Sequence, residues 1–123
     1  MATILVTTTI DVNKAQKKQL FNEVNKAIIK TFPAPSILFR DIEREDCYGL
    51  ADNQVQIFVC VPPYMEVERR KKLVKDLEVI KLNSEVCTKD SKIITTFHYH
   101  DDEDCGVDGV LRADAKKVAD KSK

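Results

Sequence analysis

The chain has 123 residues, 43% of them hydrophobic, which is enough for one folded core over residues 1–123 and excludes disorder throughout. Its 20 Lys and Arg balance 20 Asp and Glu, so no net field draws it to nucleic acid or to an anionic membrane. No apolar run approaches the ~20 residues of a membrane helix and no secretory pattern opens the sequence, so a soluble cytoplasmic protein is expected, with no nucleic-acid and no membrane partner.

In chain order, TILVTTTI at residues 3–10 is rich in β-branched side chains and predicts a strand. Asp11 or Asn13 then caps a helix, and Asn13 with Gln16 has the spacing of a capping box. Phe21, Val24 and Ile28, with Leu20 and Ala27 beside them, form one apolar stripe at helical period. Pro33 and Pro35 stop the helix near Phe32, and a second strand follows over residues 37–43. QVQIFVCV at 54–61 is the third strand, and Pro62-Pro63 ends it. A helix over 66–82 carries Leu73, Leu77 and Ile80, and IITTFHY at 93–99 is the fourth strand. Residues 112–123 are charged or alanine and are expected to fray or to dock weakly.

The pattern repeats. KKQLFNEV at 17–24 lies over RKKLVKDL at 70–77, and Glu45-Asp46-Cys47 lies over Glu103-Asp104-Cys105 at a slightly larger offset. The two copies run over residues 2–53 and 54–109. The fold class expected is α+β, two fused βαβ units giving a four-stranded sheet with both helices on one face. An RNA-recognition module of similar element order would carry aromatic and basic residues on its central strands. TILVTTTI and QIFVCV hold one aromatic, Phe58, and no base, which argues against it.

The order ATILVTTTI, NKAQKKQLFNEVNKAI, PAPS at 33–36, ILFRDIE and the turn Tyr48-Gly49-Leu50 resembles the tautomerase superfamily of 4-oxalocrotonate tautomerase and malonate semialdehyde decarboxylase. A weaker echo runs over residues 55–109, where EDCGVDG follows EREDCYGLAD. The resemblance implies a homotrimer of double βαβ chains acting on a small 2-oxo acid by keto–enol tautomerisation, with sites that draw on neighbouring subunits. A catalytically silent trimer with a binding or signalling role is the alternative.

Such proteins use an N-terminal proline as a base. Here Ala2 follows Met1, and if Met1 is removed the α-amine of Ala2 takes that place. The resemblance also implies arginines that hold a carboxylate. The one after the first strand falls on Val12, and its second-half counterpart falls near Met65, with Arg69 and Arg70 expected to face water. The strand-two arginine is Arg40 when aligned from Pro35, but Ile37 occupies that place when aligned from Tyr48, and Arg44 is a further candidate. Tyr48 matches the aromatic wall of the pocket, and His98, which aligns with Arg40 across the repeat, is a candidate for ligand contact.

His98 and His100 share a strand face and precede Asp101, but an acidic, solvated strand end accounts for them, and neither a metal nor another cofactor is expected. The four cysteines contain no CxxC pair and are expected to be free thiols. No GxSxG elbow, phosphate-binding glycine loop or HExxH occurs.

Overall fold

The computed structural model describes residues 2–121, with side chains as far as residue 117. The first unit comprises β1 (Thr3–Thr8), α1 (Lys14–Ile28) and β2 (Ser36–Asp41). The second comprises β3 (Gln54–Val61), α2 (Val67–Glu78), α3 (Ile80–Asn83) and β4 (Lys92–Tyr99). A two-stranded hairpin, β5 (Gly106–Val107) and β6 (Val110–Leu111), and a last helix, α4 (Arg112–Lys121), follow.

The strands lie in the order β2-β1-β3-β4, with each unit contributing a parallel pair and an antiparallel β1–β3 contact joining the units. Alternation along the strands divides the sheet into two faces. Ile4 and Val6 on β1, opposite Val59 and Ile57 on β3, are fully buried beneath the helices. Leu20, Val24 and Ile28 of α1 and Leu73 and Leu77 of α2 cover them, so the apolar stripes read from helical period are the stripes that pack. Phe21 meets Phe39 edge-on at 5.8 Å at the flank of the layer. The opposite sheet face carries Leu38, Leu5 and Phe58, with no element among the described residues covering it; Leu38 is 62% exposed.

Element ends differ from the sequence pattern for local reasons. The first strand stops at Thr8 rather than residue 10, because the Thr8 hydroxyl donates to Gln54 O at 2.9 Å and accepts from Ile10 N–H at 3.1 Å. Asn13, not Asp11, caps α1, and the capping box is complete: Gln16 N–H donates to Asn13 Oδ1 at 2.8 Å and Asn13 N–H to Gln16 Oε1 at 3.0 Å. The helix ends at Ile28, not Phe32, and the chain turns there, with Thr31 N–H and Phe32 N–H both donating to Ile28 O at 3.0 and 2.9 Å. The second strand is Ser36–Asp41 rather than 37–43. The helix expected over 66–82 is divided at Val79, whose N–H closes a tight turn onto Asp76 O at 3.3 Å.

Beyond β4, Asp108 and Gly109 both have positive φ, 52° and 84°, which makes the β5–β6 turn of the twisted Asp-Gly type. The tail is helical over Arg112–Lys121. Arg112 and Lys116 of α4 reach Asp102, at 3.6 and 2.6 Å. Residues 122 and 123 of the expected tail lie outside the described residues, as does Met1.

Candidate active site at the start of the first strand

Ala2 is 4% exposed, on the helix-facing side of the sheet, and its carbonyl accepts Ser36 N–H at 3.0 Å. It forms the floor of a cleft of about 350 Å³ between the loop that follows α1 and the loop that follows β3. Both loops are shaped by proline: Pro33 on one side and Pro62 on the other line the opening with Phe32, Val61 and Met65.

Among the described residues, Arg69 is the only charged side chain lining this cleft. One of its guanidinium nitrogens, Nη2, donates to Thr31 O at 2.9 Å, and the group lies 5.7 Å from the centre of the Phe32 ring. Arg70 donates Nε and Nη2 to Met65 O, at 3.2 and 2.9 Å, and sits 5.0 Å over Tyr99. Arg69 remains exposed, as the charge pattern of the helix suggested, while also bonding the loop; Arg70 is half-buried. Helical side chains slope toward the amino end of their helix, so cations in the first turn of α2 reach the loop before it. The sequence signal for this was the pair Arg69-Arg70, which follows Pro62-Pro63 after the stretch Tyr64-Met65-Glu66-Val67-Glu68.

Within one chain, none of the other candidates lines the cleft at Ala2. Arg40 projects from the uncovered sheet face, level with Thr7, about 13 Å further along the sheet than Ser36 by strand rise. Arg44 donates to Leu50 O at 3.0 Å and pairs with Asp52 at 2.9 Å, bracing the loop before β3. Tyr48 is wholly exposed, and Gly49 after it has φ 76°, a value that suits glycine because it lacks Cβ. Ile37 lies half-buried on the helix-facing side of β2, in a shallow groove with Lys14, Lys17 and Phe21. His98 stands on the uncovered face of β4, level with Cys60, 5.7 Å from Phe58 and 3.2 Å from the Thr96 hydroxyl.

Among the described residues no group of three or more His, Cys, Asp and Glu is arranged to hold a metal ion. Among those residues no helix is long and apolar enough to cross a membrane. All four cysteines are free, and burial pushes the Cys87 thiol above its ordinary range, against hydrogen bonds from Ser84 and Ser91 that pull it down.

Two fused βαβ units, with the amino end of the first strand sealed into a cleft beneath two helices, define the class of protein. Solved structures place that class. The chain resembles a fused 4-OT symmetric trimer at 19% identity, covering 90% of this chain and 98% of that one with a TM-score of 0.71. It resembles a fused 4-OT asymmetric trimer at 13% identity, covering 93% and 98% with a TM-score of 0.73. Malonate semialdehyde decarboxylase matches at 17% identity, over 94% and 97%, with a TM-score of 0.68. The fold is therefore that of the tautomerase superfamily, in its double-βαβ form. No family model matches the sequence, and no curated protein matches it.

Proposed function

We propose that this chain is a tautomerase-like protein that takes a small 2-oxo acid into the cleft at Ala2 and moves a proton between its enol and keto forms, with weak or atypical activity. The observation that carries the reading is the burial of Ala2 in a cleft that Arg69, alone of the charged side chains among the described residues, helps to line.

Removal of Met1 would expose a primary α-amine, a group with a reference pKa of about 7.7–8.0. Desolvation and the nearby Arg69 cation both favour its neutral, basic form. The neutral amine would take the enol O–H proton, and the resulting ammonium would return a proton to the carbon that becomes sp³, leaving no net change in the amine. Arg69 would hold the carboxylate and draw off charge that builds on the enolate oxygen. A primary amine is more hydrated and freer to rotate than the secondary amine of proline, which is the reason for expecting a slow reaction.

The assembly proposed is a homotrimer. Support comes from the trimeric fused 4-OT structures and from the uncovered apolar face at Leu38, Leu5 and Phe58. Ile37, Arg40, Arg44, Tyr48 and His98 would enter a site only from a neighbouring copy. A silent trimer with a binding role is the second reading, favoured by Val12 and Met65 standing where the resemblance implies cations.

The test is phenylenolpyruvate ketonisation by protein whose amino terminus is confirmed as Ala2 by mass spectrometry, from about pH 6 to 9, a range that brackets the amine. A rate above buffer that rises with deprotonation of the amine, and rises again in Ala2→Pro by about tenfold or more, is expected. A rate equal to buffer across that range in both proteins would remove the tautomerase reading and leave the silent trimer.

A further inference from the structure

We infer that Asp108-Gly109, the tip of the β5–β6 hairpin, is a site of self-modification. The aspartate closes there to a succinimide and reopens as isoaspartate, which loosens the hold on α4.

The reaction needs an aspartate carboxyl in reach of the next residue's main-chain nitrogen, no side chain on that residue to obstruct the ring, and a backbone free to turn. Asp108 is the one aspartate of the chain that precedes glycine. Both residues are exposed, and no atom lies within 4 Å of the place a Cβ on Gly109 would take. The hydrogen bonds and ion pairs of the neighbouring acidic turn go to Asp101, Asp102 and Asp104. Among the described residues none engages the Asp108 carboxyl or the Gly109 N–H.

The turn is also weakly held. Asp108 has φ 52°, a conformation that a residue with a Cβ keeps only while its surroundings impose it. Those surroundings are slight: β5 and β6 have two residues each and form a sheet of their own, with Val107 and Val110 exposed. So short a hairpin opens readily, and opening brings the carboxyl to the Gly109 nitrogen.

In the first step the Gly109 nitrogen bonds to Cγ of the protonated Asp108 carboxyl, and the N–H proton and the carboxyl hydroxyl leave together as water. In the second, water adds to the former main-chain carbonyl of the ring and its bond to nitrogen breaks, so that the chain runs on through the side chain. Addition at Cγ instead restores aspartate, and neither route oxidises or reduces any atom. The isoaspartyl product has one more backbone atom than a two-residue turn of this twisted type accepts. β6 runs directly into α4, where Arg112 N–H donates to Cys105 O at 2.8 Å and the Arg112 and Lys116 side chains reach Asp102. Loss of the hairpin register displaces all three contacts.

The full chain, held at mildly acidic pH and physiological temperature, is mapped by mass spectrometry with electron-transfer fragmentation, which separates isoaspartate from aspartate. Conversion is expected at residue 108 ahead of every other aspartate, including Asp90 before Ser91. Asp108→Asn should convert faster, because ammonia then leaves and no protonated carboxyl is needed. Asp108→Glu, which would have to close a larger ring, should stay unconverted. In hydrogen exchange the converted fraction should lose protection over residues 112–121 while β1 and β3 keep theirs. Conversion in the urea-unfolded chain but not in the folded protein would overturn the inference, since the turn or a neighbouring copy would then shield the site. Equal rates at residues 108 and 90 would overturn it too, and unchanged exchange over 112–121 in the converted fraction would overturn the coupling to α4.

Discussion

Asp41 and Cys87 carry pKa shifts of opposite sign, and each ties a small part of the fold's stability to pH. The Lys17 ammonium, 2.6 Å from Asp41, holds that carboxyl below its ordinary range. A depressed native pKa gives stability that is present above the unfolded value, near 3.9, and is lost as the pH falls through the native value. Both partners are more than a third exposed, so the pair contributes at most about 0.5 kcal/mol. The advantage of the natural chain over Asp41→Asn in urea unfolding is therefore expected to shrink below about pH 4. Cys87 is 6% exposed and its thiol is raised by burial, so the unfolded chain ionises first and stability falls as the pH climbs past the unfolded thiol value. Cys87→Ala should flatten that alkaline decline; an equal decline in both proteins would remove Cys87 as its source.

Among the elements, α1 depends on its first turn. It has no acidic residue there to meet the positive end of the helix, so the Asn13–Gln16 box supplies the partners for its free N–H groups. Asn13→Ala should cost about 1 kcal/mol in chemical unfolding, with little change in the unfolding slope. Restoration by Asn13→Ser or Asn13→Asp would tie the loss to capping, whereas no loss at all would mean that burial of Leu20, Val24 and Ile28 alone holds the helix. The stripes of α1 and α2 were legible because period 3.6 is written in the chain itself. Their ends were less so: Thr8 terminates a strand through its own hydroxyl, and Val79 divides a helix whose apolar pattern runs on without a break.

For the whole molecule, the sheet is closed on one side and open on the other. Helices cover Ile4, Val6, Ile57 and Val59, while Leu38, Leu5 and Phe58 remain uncovered within the chain. Phe58 sits on a central strand, level with Leu5 and Thr96, so a charge placed there would lie in the middle of that face. If this face holds the proposed trimer together, Phe58→Lys should yield monomers in light scattering after gel filtration while the far-UV circular dichroism stays native. A trimer that persists in that variant would show that the copies meet elsewhere.

The chain alone determined the two βαβ units, the apolar faces of both helices, the capping box and the repeat, because each is written in the spacing of nearby residues. The resemblance to the tautomerase superfamily also marked Ala2, which stands in the place of that family's N-terminal proline. Only the tertiary structure decided what surrounds Ala2. Arg69 and Ala2 are far apart in sequence, and they meet because β1 and β3 pair antiparallel, which brings the start of one strand beside the end of the other and so beside the first turn of α2. Within one chain Arg40, chosen by alignment, lies on the uncovered face of the sheet, and Arg44 braces the loop before β3. Sequence spacing records which side of an element a residue occupies; the pairing of distant strands decides which residues that side will face.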